Sequence, residues 1–93
     1  MIRSNWRVYN LTLTNANTEY SQALTDVAAF VAIQSRNPGV DLQFTFTSGE
    51  TGTLYKTIYG GSQWESLGPI HGDKTVYFRC GTAGVVVEIE EWT

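Results

Sequence analysis

Short stretches in which apolar and polar residues alternate, each ended by glycine, proline or asparagine after a few positions, dominate this sequence. An alternation of period two puts one set of side chains on each side of a strand. Several such strands at close spacing can bury their apolar sides only against one another, as a sandwich or barrel. The cleanest case is Leu42 to Thr47, where Leu42, Phe44 and Phe46 point one way and Gln43, Thr45 and Thr47 the other. Trp6 to Leu13 sets Tyr9, Leu11 and Leu13 against Asn10 and Thr12, and Asn15-Ala16-Asn17 then turns the chain. Thr18 to Leu24 carries Tyr20, Gln22 and Leu24 on one side. Phe30 to Arg36 follows and is stopped by Asn37-Pro38-Gly39, since proline fixes φ and glycine accepts a sharp reversal.

Leu54 to Tyr59 reads as a strand that stops at Gly60-Gly61. Trp64 to Leu67 is short, and Gly68 to Asp73 reads as irregular. Lys74 to Cys80 and Val85 to Trp92 close the chain as two strands around Gly81-Thr82-Ala83-Gly84. The expectation is an all-β chain: one antiparallel β-sandwich or jelly-roll-like domain over residues 1–93, of about 7–8 short strands. One segment has a second reading. Val27, Phe30, Val31 and Gln34 recur at helical spacing, and Thr25 or Asp26 stands in a capping position, so a short helix is the alternative there.

A chain of 93 residues buries only roughly 60–65% of its unfolded surface, which leaves a thin core that association with other subunits would reinforce. Cys80 is the only cysteine, and it shares a strand face with Val76 and Phe78, so it reads as a small buried hydrophobe. The beginning of the chain lacks the apolar stretch of a secretory signal, and no run reaches the length of a membrane span, so synthesis in the cytoplasm and no membrane partner are expected. Nine acidic residues oppose six basic ones that are scattered singly along the chain, a poor match to a phosphate backbone, and no nucleic-acid partner is expected.

Candidate chemistry is sparse. The only histidine, His71, sits in a loop with no Gly-x-Ser-x-Gly elbow anywhere, so no catalytic residue is assigned and no enzyme activity is expected. One histidine and one cysteine cannot make a zinc site, no calcium-loop pattern runs through Asp41, Glu50 or Asp73, and no metal or cofactor is assigned. Glu88 and Glu90 stand on one side of a strand about 7 Å apart, with Trp92 beyond them, and read as a solvated face or a protected edge.

The aromatic residues carry more information. There are twelve, and the core faces absorb Tyr9, Phe30, Phe44, Phe46 and Phe78. Of the seven others, Trp6, Tyr55, Tyr59, Trp64 and Trp92 have no inward place. They are the candidate interface residues, either as anchors in a protein contact or as caps on the ends of the sandwich. A carbohydrate-binding module using Tyr59, Trp64 and Glu65 is the rival reading.

Asn10-Leu11-Thr12-Leu13, Glu19 to Leu24 and Ile33 to Asn37, with Val76-Tyr77-Phe78-Arg79 and the closing stretch Ala83 to Thr93, resemble small virion proteins of tailed bacteriophages. The resemblance implies a β-sandwich accessory of the particle, a capsid decoration or cement protein or a small head-tail component. It implies a homo-oligomer, with a trimer matching common capsid-surface symmetry, in contact with the major capsid protein or other virion proteins. The implied location is the virion, after synthesis in the bacterial host cytoplasm. Where the resemblance implies a glycine or proline turn after Ala23-Leu24, this chain has Thr25-Asp26-Val27-Ala28-Ala29.

Overall fold

A computed structural model describes residues 6–25, 27–28, 30–66, 70–71 and 74–92. Ten strands follow in order: β1 (Trp6–Leu13), β2 (Tyr20–Ala23), β3 (Val27–Ala28), β4 (Phe30–Ser35), β5 (Leu42–Thr45), β6 (Lys56–Ile58), β7 (Gln63–Glu65), β8 (Ile70–His71), β9 (Thr75–Arg79) and β10 (Val85–Trp92). Every strand expected from alternation is present, and the described residues contain no helix. The helical alternative after Thr25 gives way to β3 and β4. The stretch expected to be irregular contains β8, whose backbone pairs with β3. Two-residue strands are too short to show an alternation.

The strands form two four-stranded antiparallel sheets, ordered β1-β10-β4-β7 and β2-β9-β5-β6, with the β3–β8 ribbon beside them. Successive pairs β1/β10, β2/β9, β3/β8, β4/β7 and β5/β6 are rungs of one long antiparallel hairpin. Trp6 opposite Trp92, Tyr20 opposite Phe78 and Val27 opposite His71 share one total of residue numbers, so the two arms keep step through the first two corners. The hairpin then coils on itself, and β10 meets β4 while β9 meets β5. This is the jelly-roll arrangement, a ribbon rolled until its two halves become two facing sheets.

Because the arms turn together, their corners lie against each other. Asn17, in the left-handed region at φ 55°, donates its N–H to the Cys80 carbonyl at 2.7 Å, and Gly84 donates to the Leu13 carbonyl at 2.8 Å. At the corner where β4 leads into β5 and β6 into β7, the Asn37-Pro38-Gly39 turn presses on Gly60, whose N–H donates to the Asp41 carboxylate at 2.8 Å. A β-carbon on Gly60 would stand 2.2 Å from the Pro38 carbonyl oxygen, so that position accepts no side chain.

The core lies between the sheets. Leu13, Val31, Ile33, Leu42, Phe44, Ile58, Val76, Phe78, Val85, Val87 and Ile89 fill it, with Leu24 and Cys80. The inward series of β10 then ends on Glu91, which has no exposed surface. A carboxylate so placed must be hydrogen-bonded. Glu91 accepts from the Tyr9 hydroxyl at 2.6 Å, from the Thr25 N–H at 3.1 Å and from the Thr25 hydroxyl. It ties β1, β10 and the end of the β2 arm together.

Two aromatic placements differ from expectation. Phe46 follows the inward parity of Phe44, but the strand ends at Thr45 and the ring is left 37% exposed. Phe30 stands opposite Trp92, on the outer side of its sheet, because Val31 and Ile33 take the inward positions. The protected-edge reading of Glu88 and Glu90 is corrected as well. Strand β10 is flanked on both sides, by β1 and β4, so these carboxylates stand on the outer face of a central strand.

Three substitutions test this architecture. Gly60→Ala should cost roughly 1–3 kcal/mol by overpacking against Pro38, whereas Gly81→Ala, whose added β-carbon would meet nothing nearer than 4.0 Å, should be close to neutral in thermal unfolding. Glu91→Ala strands the Tyr9 and Thr25 donors and should lower Tm by about 10 °C or more in a domain of this size.

Candidate functional site: aromatic patches outside the core

The five aromatic residues left over by the sequence fall into three places. Tyr55 and Trp64 meet at one mouth of the roll, Trp6 and Trp92 pair on the outer face of the first sheet, and Tyr59 stands apart in the turn between β6 and β7, 67% exposed.

The mouth is built from β5, β7 and the connection between β5 and β6. Trp64 lies opposite Ile33, on the inward side of β7, and packs against the core as a half-buried ring. Its ring centroid is 5.0 Å from that of Phe44 and 6.1 Å from that of Phe46, and Phe44 is in turn 6.5 Å from Phe78. The stack therefore runs from the centre of the core out to solvent. Leu54, 73% exposed, and Tyr55, 43% exposed, form the opposite lip. Between them lies an open groove of about 470 Å³, its apolar lining broken by Thr45, Thr53 and Lys56.

The lip is anchored. Glu19, just before β2, reaches across to the β5–β6 connection and accepts from the Thr51 hydroxyl at 2.8 Å, the Gly49 N–H at 3.0 Å and the Thr51 N–H at 3.4 Å. The Thr51 hydroxyl above all holds the Glu19 carboxyl below its ordinary value; burial, the next effect in size, opposes it, and the backbone N–H groups of Gly49 and Thr51 and the charge of Arg79 add to the lowering. Within the connection, Leu54 donates to the Glu50 carbonyl at 2.9 Å and the Thr53 hydroxyl donates to the Glu50 carboxylate at 2.6 Å. Leu54 and Tyr55 are thus displayed on a braced turn. The sequence shows Glu19 and Thr51 as two ordinary polar residues, and nothing in it announces the clamp.

On the outer face of the first sheet, the Trp6 and Trp92 rings are 6.0 Å apart at 39°, and the Trp6 indole donates to Glu90 at 3.0 Å. The sugar-binding set drawn from the sequence is dispersed. Trp64 faces inward, Glu65 alternates to the outer side of β7, where it accepts from Gln63 at 3.1 Å, and Tyr59 lies beyond the strand. Among the described residues no group of three or more histidine, cysteine or carboxylate side chains converges on a point that could hold a metal ion. Asp41 and Glu50 are each engaged locally, while Asp73 and the His71 side chain lie outside the described residues. Cys80 is buried and its thiol donates to the Thr82 carbonyl at 3.0 Å.

No family model matches this chain, and no curated protein matches it. Among solved structures it is similar to a de novo designed double-stranded β-helix determined by solution NMR, with a TM-score of 0.60 and 14% sequence identity over 94% of this chain and 99% of that one. At that identity the likeness shows the fold alone, and the fold is the rolled antiparallel hairpin described above.

Proposed function

We propose that the protein is a non-enzymatic structural component of a bacteriophage particle, a capsid decoration or cement protein that works by burying its aromatic groove against particle proteins and copies of itself. The observation that carries this reading is the groove: Phe46, Leu54 and Tyr55 stand together in solvent on a turn that Glu19 braces, backed by rings continuous with the core. A braced apolar lip loses little conformational entropy when it docks, and covering it removes apolar surface from water at about 25 cal/mol per Å². Exposed aromatics set in a rigid frame are the usual anchors of protein contacts. Among the described residues Lys56 is the only charged one in the lining, so docking there draws on apolar burial far more than on charge. The virion assignment itself follows from the sequence resemblance, and the groove supplies a physical means by which such a protein would hold to a shell.

Binding should be measured by co-sedimentation with particles that lack the protein. Leu54→Ser and Tyr55→Ala should each weaken it by about 1–2 kcal/mol or more, with little change between low and high salt. Full retention by both variants, or loss of wild-type binding in moderate salt, rejects the groove as the docking element. The brace adds a pH dependence. Because the Glu19 carboxyl is held below its ordinary value of 4.5, its contribution is complete above that value and is lost as the pH falls through the lower folded-state value. Amide exchange at Gly49 and Thr51 should therefore accelerate beyond its intrinsic pH trend as the pH falls below 4.5, and Glu19→Gln should show faster exchange already at neutral pH.

A further inference from the structure

The outer face of the first sheet carries a second arrangement, independent of the groove. Directly opposite residues share a face, so the strand register sorts the outward side chains into rows. Trp6, Trp92 and Phe30 form one row across β1, β10 and β4. Next comes Val8, Glu90, Ala32 and Glu65 across all four strands, and then Asn10, Glu88, Gln34 and Gln63. Rows on one face repeat every two residues, about 7 Å along the strands. Ala32 is the smallest of these side chains, and over it lies a shallow trough of about 200 Å³ bordered by Val8, Gln34, Gln63, Glu88 and Glu90.

We infer that this face is a binding platform for a neutral polysaccharide chain, with Trp6 and Trp92 stacking on sugar rings and Gln34, Gln63, Glu88 and Glu90 bonding their hydroxyl groups. An aromatic ring beside rows of amides and carboxylates matches a sugar, which offers an apolar C–H face and a rim of hydroxyls that donate and accept. The polar groups are held in place before any ligand arrives. Gln34 donates to one Glu88 oxygen at 2.9 Å and Arg36 to the other at 3.0 Å, and the Trp6 indole is fixed by Glu90. These bonds leave capacity unused: the carbonyl oxygens and second N–H groups of Gln34 and Gln63, the second oxygen of Glu90, and the exposed amide of Asn10. Such preorganisation lowers the cost of binding.

Charge selects the occupant. Glu65, Glu88 and Glu90 crowd the face, and among the described residues Arg36 is the one cation at its margin, so phosphorylated or sulfated chains are repelled. A second copy set face to face by a two-fold axis would bring the same carboxylates against themselves, which disfavours self-association here.

Affinity electrophoresis of the whole chain through gels containing soluble β-glucan, xylan or starch, with pull-down on insoluble cellulose and chitin, tests the platform, and alginate serves as an anionic control. At least one neutral polymer should retain the wild type, and Trp6→Ala and Gln34→Ala should each weaken that retention by about tenfold while circular dichroism stays unchanged. Leu54→Ser, on the groove, should leave it intact, so the two surfaces stand or fall separately. Should a variant lose its β spectrum, Trp6→Tyr, which keeps a stacking ring, should retain binding in its place. The proposal is overturned if none of the five neutral polymers retains the protein, if alginate retains it better than they do, or if retention ignores both Trp6 and Gln34.

Discussion

Strand β10 lies between β1 and β4, paired along its length with the first strand of the chain and over most of it with the fourth, and this double pairing organises the molecule. Because β10 is central, its inward residues Val85, Val87 and Ile89 lie in the middle of the core, and its outward residues Glu88, Glu90 and Trp92 lie in the middle of an open face. Pairing of the two ends of the chain makes the fold one long hairpin, and coiling of that hairpin brings β4 onto β10 and β5 onto β9. The corners then have to nest, which is why Gly60 sits against the Pro38 carbonyl with no room for a side chain.

Closing a roll leaves its ends and its edges to be managed. At one end the inward series of β10 reaches Glu91, and the roll meets that charge with Tyr9 and Thr25. At the mouth under the β5–β6 connection the opposite solution holds: aromatic rings continue outward from Phe78 through Phe44 to Phe46 and Trp64, and apolar surface remains in solvent. The first arrangement satisfies polar groups within the chain, whereas the second leaves an unmet driving force that a partner can use. The proposed docking role rests on that contrast, and the proposed glycan platform rests on the outer face of the first sheet.

Much of this was legible beforehand. The eight principal strands could be placed because alternation of period two with turn residues between is a local property, written in each segment by itself. Cys80 was readable as buried by its parity with Val76 and Phe78. Parity fails where a strand stops or where the partner strand sets the side. Phe46 has the inward parity of Phe44 yet lies past the end of β5, and Trp64 has no inward place by sequence although its register against Ile33 turns it to the core. The Glu19 clamp spans 30 residues to Gly49, a contact that no local pattern encodes.

By itself the sequence determined an all-β chain, the positions of its principal strands and turns, and the side of each strand that carries apolar residues, because these depend on backbone preference and on alternation within a few residues. Only the tertiary structure decided which strands are neighbours, and with that which of the leftover aromatics belong together. Trp6 and Trp92 are 86 residues apart in sequence, and only the pairing of β1 with β10 sets their rings side by side on one face with Glu90. Tyr55 and Trp64 are nine residues apart, yet they line one groove only because β6 and β7 belong to different sheets that face each other across the core. The reason is physical: the free energy that selects a register is gained by burying both sheets at once, and no segment taken alone contains it.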